Sequence, residues 1–196
     1  MQSAILIIDL FKPSTYNMTT PSFRAAGLDD IPIIVELVNS AYRGESGKQG
    51  WTTESDLLDG QRTDPEEVTR LIQTEDSMIV LCQLNDEPIA SVHLEKHQEG
   101  AYLGMLSVKP RWQNLGIGKR LMAEAELIAK QQWAANKMLI MVITLRHDII
   151  AFYQRYGYVR TGRVEPFPTS EKYGIQKVPG LLLEYLEKSL VCSSER

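Results

Sequence analysis

The sequence predicts a single α+β domain on a mixed, mostly antiparallel sheet. Two patterns carry that expectation. Three apolar segments, Met78–Leu84, Ile89–Glu95 and Ala101–Val108, follow one another on short polar turns, as in an antiparallel meander. The third leads into a long amphipathic helix and then into Met138–Thr144, an unbroken apolar run of the kind that suits a strand buried on both faces. Strand, helix and strand in that order read as a right-handed βαβ unit with parallel strands. The length of 196 residues agrees with one domain and can bury a substantial core without disulfide or metal staples.

The elements follow in order. Residues 1–20 read as an N-terminal extension, in which Ala4–Phe11 is either a further edge strand or part of a loosely ordered lead. Its apolar run, Ala4–Ile8, is short, lacks a basic start and is followed by Asp9, so it resembles neither a signal peptide nor a membrane span. The domain is expected over 21–190, with a polar tail at 191–196. Ser22–Ala25 is a short strand broken by Gly27. Asp29 or Asp30 then caps a helix with Pro32 in its first turn. Ile31, Ile34, Val35, Val38, Ala41 and Tyr42 form one apolar stripe along it, and Gly44 ends it.

Arg43–Arg62 is polar, glycine-rich and long for a connection, and such loops are often functional. Thr53–Asp56 is expected to start a short helix through a capping-box-like arrangement. Trp51 needs somewhere to bury its ring, either against the domain or in a substrate pocket. Asp64-Pro65-Glu66-Glu67 predicts a helix start, with a cap, proline at the first position and acids in the first turn; the helix should run to about Gln73. Two further strands are expected at Tyr158–Gly162 and Val178–Leu186, separated by a proline-broken loop at Val164–Pro168.

The stretch Ala101–Leu121 organises the chain. A buried strand ends at Val108, Pro110 marks a turn, and a helix opens at Gly116–Ile117. A helix N-terminus leaves backbone N–H groups unpaired and favours negative charge. Gly116 and Gly118 remove side chains that would keep a bulky anion away from those donors, so a phosphate or pyrophosphate seat is predicted. Two familiar phosphate loops do not fit. The dinucleotide fingerprint needs a third glycine where Leu121 stands, and the Walker A loop needs glycine at Gln113 and a hydroxyl at Arg120.

What stands there is Gln113-Asn114-Leu115-Gly116-Ile117-Gly118. It resembles the signature of the GNAT superfamily of N-acetyltransferases, Gln/Arg-x-x-Gly-x-Gly/Ala between a strand and a helix. A second resemblance follows in order. Asp148–Tyr158 is similar to the family's short helix after the second parallel strand, with the Phe152-Tyr153 pair and an ending in Gly157-Tyr158. The resemblance covers roughly residues 22–186 and is most specific between 101 and 158.

The resemblance implies a GNAT-type fold, with helices on both faces and a central parallel pair that splays apart. It implies acetyl-CoA as co-substrate. The pantetheine would lie along the backbone of Leu106, Ser107 and Val108, since inserted chains bind by main-chain hydrogen bonds. The pyrophosphate would lie over Gln113, Asn114, Leu115, Gly116, Ile117, Gly118 and Lys119. Tyr153 aligns with the family's general acid near the CoA sulfur. Tyr42, Arg43, Trp51 and Glu54, around the segment joining the first two helices, would border the acceptor. The family often has asparagine where this chain has Arg146, so Arg146 or His147 is expected to meet the cofactor or shape the pocket instead. Some members place a glutamate at about Tyr102. Here the base is left to Glu95, His93 or Glu54. The expected reaction is acetyl transfer to a primary amine by direct attack in a ternary complex. Small amines, antibiotics, peptide N-termini and protein lysines all fit as acceptors. A non-catalytic acyl-CoA-binding module is the alternative.

Composition narrows the rest. Net charge is −4, with no dense Lys/Arg run, which argues against nucleic acid as partner. The two cysteines, Cys82 and Cys192, and the three histidines have no spacing for a disulfide framework or zinc, so no metal is expected. A cytoplasmic protein, free of membrane, as monomer or homodimer, is the expectation.

Overall fold

The computed structural model describes residues 20–43 and 52–191. Ala4–Phe11, Gly44, Trp51 and Cys192 lie outside the described residues. The strands are β1 (Ser22–Ala25), β2 (Leu58–Asp59), β3 (Ser77–Leu84), β4 (Glu87–His97), β5 (Gly100–Val108), β6 (Lys137–Ile143), β7 (Val159–Pro166), β8 (Ile175–Gln176) and β9 (Leu182–Ser189). The α-helices among the described residues are α1 (Ile31–Tyr42), α2 (Pro65–Gln73), α3 (Ile117–Trp133) and α4 (His147–Arg155).

Seven strands form one sheet in the order β1-β3-β4-β5-β6-β9-β7, and β2 pairs with β8 apart from it. All the pairings are antiparallel except β5 with β6. That parallel pair is in register only at Ala101–Met138 and Tyr102–Leu139. Beyond those residues the two strands part, although β5 continues to Val108 and β6 to Ile143. The mixed sheet and the splayed central pair both match the expectation.

Alternation along β3 explains the layers. Successive side chains of a strand point to opposite faces. Val80 and Cys82 join the core under α3, with Leu121, Met122, Ala125 and Ala129. Ile79 and Leu81 join the core under α1 and α2, with Ile34, Val38, Val68 and Leu71. Helices therefore cover both faces. In β5 the alternation slips by one. Ala101 and Leu103 face the α3 core, and so do Leu106 and Val108, while Met105 faces the other core. The register against β4 shifts at this point, from Gly104–His93 to Ser107–Ser91. Met105 takes φ +48°, a backbone uncommon for a side-chain-bearing residue. This is a β-bulge, which bends a strand and sharpens its twist. It lies where β5 leaves β6.

Several local expectations change in detail. Asp30 stands at the start of α1, but its carboxylate takes Arg24 (2.6 and 2.7 Å) and the Gly27 N–H (2.8 Å) instead of a helix amide. Asp64 caps α2 as expected, accepting from the Glu67 N–H at 2.7 Å. Thr53–Asp56 makes one turn, closed by the Leu57 and Leu58 amides on the Glu54 carbonyl, and then enters β2. The late strands differ from the prediction: β7 (Val159–Pro166) runs past Gly162 into the expected loop, and β9 (Leu182–Ser189) begins at Leu182 instead of Val178 and ends at Ser189 instead of Leu186. β7 continues through Val164 and Pro166, which an edge strand tolerates, and β9 lies between β7 and β6.

Candidate active site

A cavity of about 950 Å³ opens where β5 and β6 part. Val108, Trp112, Gln113 and the start of α3 line it on one side of the gap, and Tyr42, Thr52, Glu54, Arg62, Tyr102, Phe167, Pro168 and Tyr173 complete the wall. Its size suits a ligand pocket.

On the first side, α3 begins in an unusual way. Its N-cap is Gly116 with φ +76°, and Asn114 before it has φ +62°. Gly116 is therefore needed for backbone conformation, because a Cβ there would meet no atom within 4 Å. Gly118 is different. A Cβ on it would make only an ordinary contact with Val108 Cγ2 at 3.7 Å, so no packing demand accounts for the missing side chain. The space in front of the first amides of α3 is left open, and no acidic residue lies in that first turn. Lys119 Nζ lies 5.6 Å from the Tyr156 ring centre, so a cation stands beside the opening. The arrangement fits a diphosphate in charge and in space.

The predicted residues divide as follows. Gln113, Asn114, Gly116, Ile117, Gly118 and Lys119 line the cavity. Leu115 is not among the lining residues and is 53% exposed. Leu106 and Val108 line it; the Ser107 side chain is buried and bonds its hydroxyl to the Met105 carbonyl at 2.9 Å. Two carbonyls of the parted strand are already engaged. Leu106 O accepts from the Tyr42 hydroxyl at 2.9 Å, and Val108 O from Gln113 Nε2 at 3.0 Å. A carbonyl has two lone pairs, so each retains one acceptor position.

Tyr153 lines the cavity from α4 and is 9% exposed. Its ring packs edge-on against Phe152 and Tyr158, at 5.3 and 5.5 Å between centres. Burial, reinforced by the nearby Tyr42 and Tyr102 phenols, pushes its pKa well above the usual tyrosine value. The phenol is a proton donor at neutral pH.

On the rest of the wall, Arg43 is 6% exposed and pairs with Glu54 at 2.6 Å. Both line the cavity, with Tyr42. Of the base candidates, only Glu54 does so. His93 is buried on β4, bonds Ser77 Oγ at 3.0 Å and has its pKa pushed down to about 4, chiefly by burial. Glu95 is also absent from the lining. Arg146 forks onto Asp148 at 2.9 and 3.0 Å and reaches across to the Thr52 and Thr53 carbonyls. Cys82 is buried and its thiol pKa is pushed up to about 11, as suits an inert core cysteine.

Sequence reasoning missed several lining residues, among them Thr52, Arg62, Trp112, Phe167 and Tyr173. Arg62 had a faint signal, being a charged residue just before the Asp64-Pro65 helix start. Tyr102 was noted only for its place on the strand.

A mixed sheet opened at its parallel pair, with unobstructed helix amides and a buried phenol lining the gap, has the form of an acetyltransferase fold. Comparison agrees. The chain belongs to the acetyltransferase (GNAT) family, whose model matches residues 36–158. Members of this family take their acetyl group from acetyl-CoA. A tRNA uridine(34) acetyltransferase from Methanocaldococcus infernus is 39% identical over 51 residues, which is 26% of this chain and 9% of that protein. The chain thus spans about a tenth of that relative. An N-acetyltransferase from Staphylococcus aureus Mu50 superposes with TM-score 0.65 at 14% identity, over 88% of this chain and all of that one. A Bacillus anthracis structure in complex with acetyl coenzyme A superposes with TM-score 0.50 at 20% identity, over 62% of this chain and 67% of that one. At these identities the likeness is one of fold. Among the described residues, no helix is long and apolar enough to cross a membrane, and no group of metal-ligating side chains is found.

Proposed function

We propose that the chain transfers the acetyl group of acetyl-CoA to an amine, both bound in the cavity between the parted strands. The carrying observation is the separation of β5 and β6 beyond Tyr102 and Leu139, with the open amides of α3 at one end of the gap. Acetyl-CoA supplies an activated carbonyl and a thiolate leaving group.

The chain's own groups supply the rest. The backbone of Leu106 and Val108 holds the pantetheine, and the lining residues Gln113, Asn114, Gly116, Ile117, Gly118 and Lys119 hold the pyrophosphate. A backbone N–H near Val108 receives the negative charge that develops on the carbonyl oxygen as the amine attacks. Tyr153 donates its proton to the departing sulfur and is reprotonated with the proton that the amine releases. Tyr42, Arg43 and Glu54 border the acceptor, and Glu54 is the base candidate best supported by position. A lysine-like amine, with a pKa near 10.4, needs about 4 to 5 kcal/mol to reach its neutral form at pH 7. A base or a desolvating pocket must provide that. The tRNA-modifying relative matches over too short a stretch to carry its substrate across, and a net charge of −4 favours an acceptor other than nucleic acid.

Titration calorimetry with acetyl-CoA tests the reading first, and thiol release across an amine panel tests it second. Binding without release for any amine would leave the acyl-CoA-binding module. Absence of binding would remove both.

A further inference from the structure

The cavity's charges are unevenly matched. Its acidic lining residues are Glu54 and Asp148, and each is already held by an arginine, Arg43 at 2.6 Å and Arg146 at 2.9 Å. Lys119 stands at the phosphate end, in the first turn of α3, and Arg155 lines the cavity from the last turn of α4. That leaves Arg62 on the rest of the wall. Arg62 is a half-buried residue of the cavity wall and, among the described residues, its guanidinium has no carboxylate partner. It lies 5.6 Å from the centre of the Tyr42 ring, and the Tyr42 hydroxyl bonds the Leu106 carbonyl on the parted strand. The guanidinium is thus close to the reacting end of the gap.

The backbone beneath it is firmly held. Asn39, on α1, accepts from the Arg62 N–H at 2.7 Å and from the Thr63 N–H at 3.2 Å, and donates to the Thr63 carbonyl at 2.9 Å. A side-chain amide making three bonds to two successive residues fixes where the arginine starts. Burial raises the pKa of Tyr42 and Tyr102 and lowers that of His93; the Arg62 charge works against the first effect and adds to the second. A cation that faces a cavity with no carboxylate beside it favours an anionic group on the ligand. Its planar fork matches a carboxylate in a way that a lysine would not.

Resting on the acetyltransferase reading, we infer that the acceptor is an amine that also carries a carboxylate, an amino-acid-like molecule whose carboxylate is received by Arg62. The amine then points toward the parted strands. The same positive field disfavours a second ammonium, so polyamines are poor acceptors, and it eases loss of the proton from the ammonium that must react. Composition alone leans weakly the other way, since an acidic chain suits a cationic amine. The local charge at the cavity outweighs the distant surface charge, which salt screens.

The test uses the full chain and free-thiol release with three sets of acceptors: the protein amino acids, their carboxamides, and the amines left when the carboxylate is removed, with spermidine added. The expected result is turnover confined to, or at least about 10-fold faster for, members bearing the carboxylate. For the best of them, Arg62→Gln should raise KM by about 10- to 100-fold, with a smaller effect on kcat. Arg62→Lys should recover part of that loss. Calorimetry should give both variants the wild-type Kd for acetyl-CoA. Preference for carboxamides, decarboxylated amines or spermidine overturns the inference, as does an unchanged KM in Arg62→Gln. Silence of every carboxylated amine while acetyl-CoA binds overturns it too, and leaves the binding reading intact. Failure to bind acetyl-CoA overturns the parent reading instead.

Discussion

Tyr153 gives the sharpest test at the scale of single residues. Tyr153→Phe keeps the ring contacts with Phe152 and Tyr158 and removes only the hydroxyl. If the phenol protonates the sulfur, kcat should fall by about 10²-fold, the lower end of general acid catalysis, because a thiolate leaves readily. Acetyl-CoA affinity and Tm should hardly move. Full activity in the variant would end the general-acid assignment.

The two glycines of the α3 start separate by the same logic. Gly116→Ala places a side chain at φ +76° and should cost roughly 1–2 kcal/mol of stability, read from the denaturation midpoint. Gly118→Glu meets no obstacle in the fold and should keep its Tm, yet lose acetyl-CoA binding, since a carboxylate would occupy the diphosphate position. Wild-type affinity in Gly118→Glu would displace the pyrophosphate from this seat.

His93 bears on pH instead of catalysis. Its pKa is lowered in the folded protein to about 4, from 6.5, so the unfolded chain takes up the proton first on acidification. The stability it contributes is complete above about pH 6.5 and is lost as pH falls toward 4. Between pH 7 and 5 the loss should be about 2 kcal/mol. Urea unfolding at both values should give a clearly smaller drop for His93→Gln than for wild type. An equal drop in both would assign the acid sensitivity to other groups.

At the scale of elements, Arg146 deserves a direct experiment because it joins two of them. From the start of α4 it reaches the carbonyls of Thr52 and Thr53, while Gln113 reaches Thr52 Oγ1 at 3.5 Å from the opposite wall. The segment proposed to border the acceptor is therefore tied to both elements proposed to hold the cofactor. Arg146→Ala should raise the acceptor KM by about 10-fold and leave the acetyl-CoA Kd within a factor of two or so, since charged hydrogen bonds to the loop are lost. A larger effect on acetyl-CoA would instead put Arg146 in contact with the cofactor, in place of the asparagine common in the family.

How much of these elements could be read in advance depended on how local their causes are. The α2 start was legible because Asp64, Pro65 and the first-turn acids act within four residues. The α3 start and the buried run of β6 were legible for similar reasons. β2 and β8 were not, because two-residue strands have no periodicity and exist only through each other. The bulge at Met105 was hidden as well. Nothing in Tyr102-Leu103-Gly104-Met105-Leu106 announces a slip, and only the register against β4 makes it visible. The role proposed for Arg62 belongs with these, since it rests on there being no carboxylate partner among the described residues, which a sequence cannot display.

At the scale of the whole molecule, the order of the sheet matters more than any one wall of the cavity. β1, β3, β4 and β5 form one hydrogen-bonded block, and β6, β9 and β7 form another. Among the described residues, two pairs, Ala101–Met138 and Tyr102–Leu139, are the rungs between the blocks. A gap in the middle of a sheet behaves like an edge turned inward, with backbone groups awaiting a partner strand. A ligand chain lying in it would serve as the missing rung and make one sheet out of two. Amide hydrogen exchange would register this. Acetyl-CoA should slow exchange in Gly104–Val108 and also in Ile140–Ile143, on both banks of the gap. Protection limited to 113–119 would mean that the carrier is held by its phosphates alone. If both banks respond, the carrier is more than a donor of acetyl groups: while bound it is structurally a strand of the protein, and the two half-sheets regain their independence each time free CoA departs.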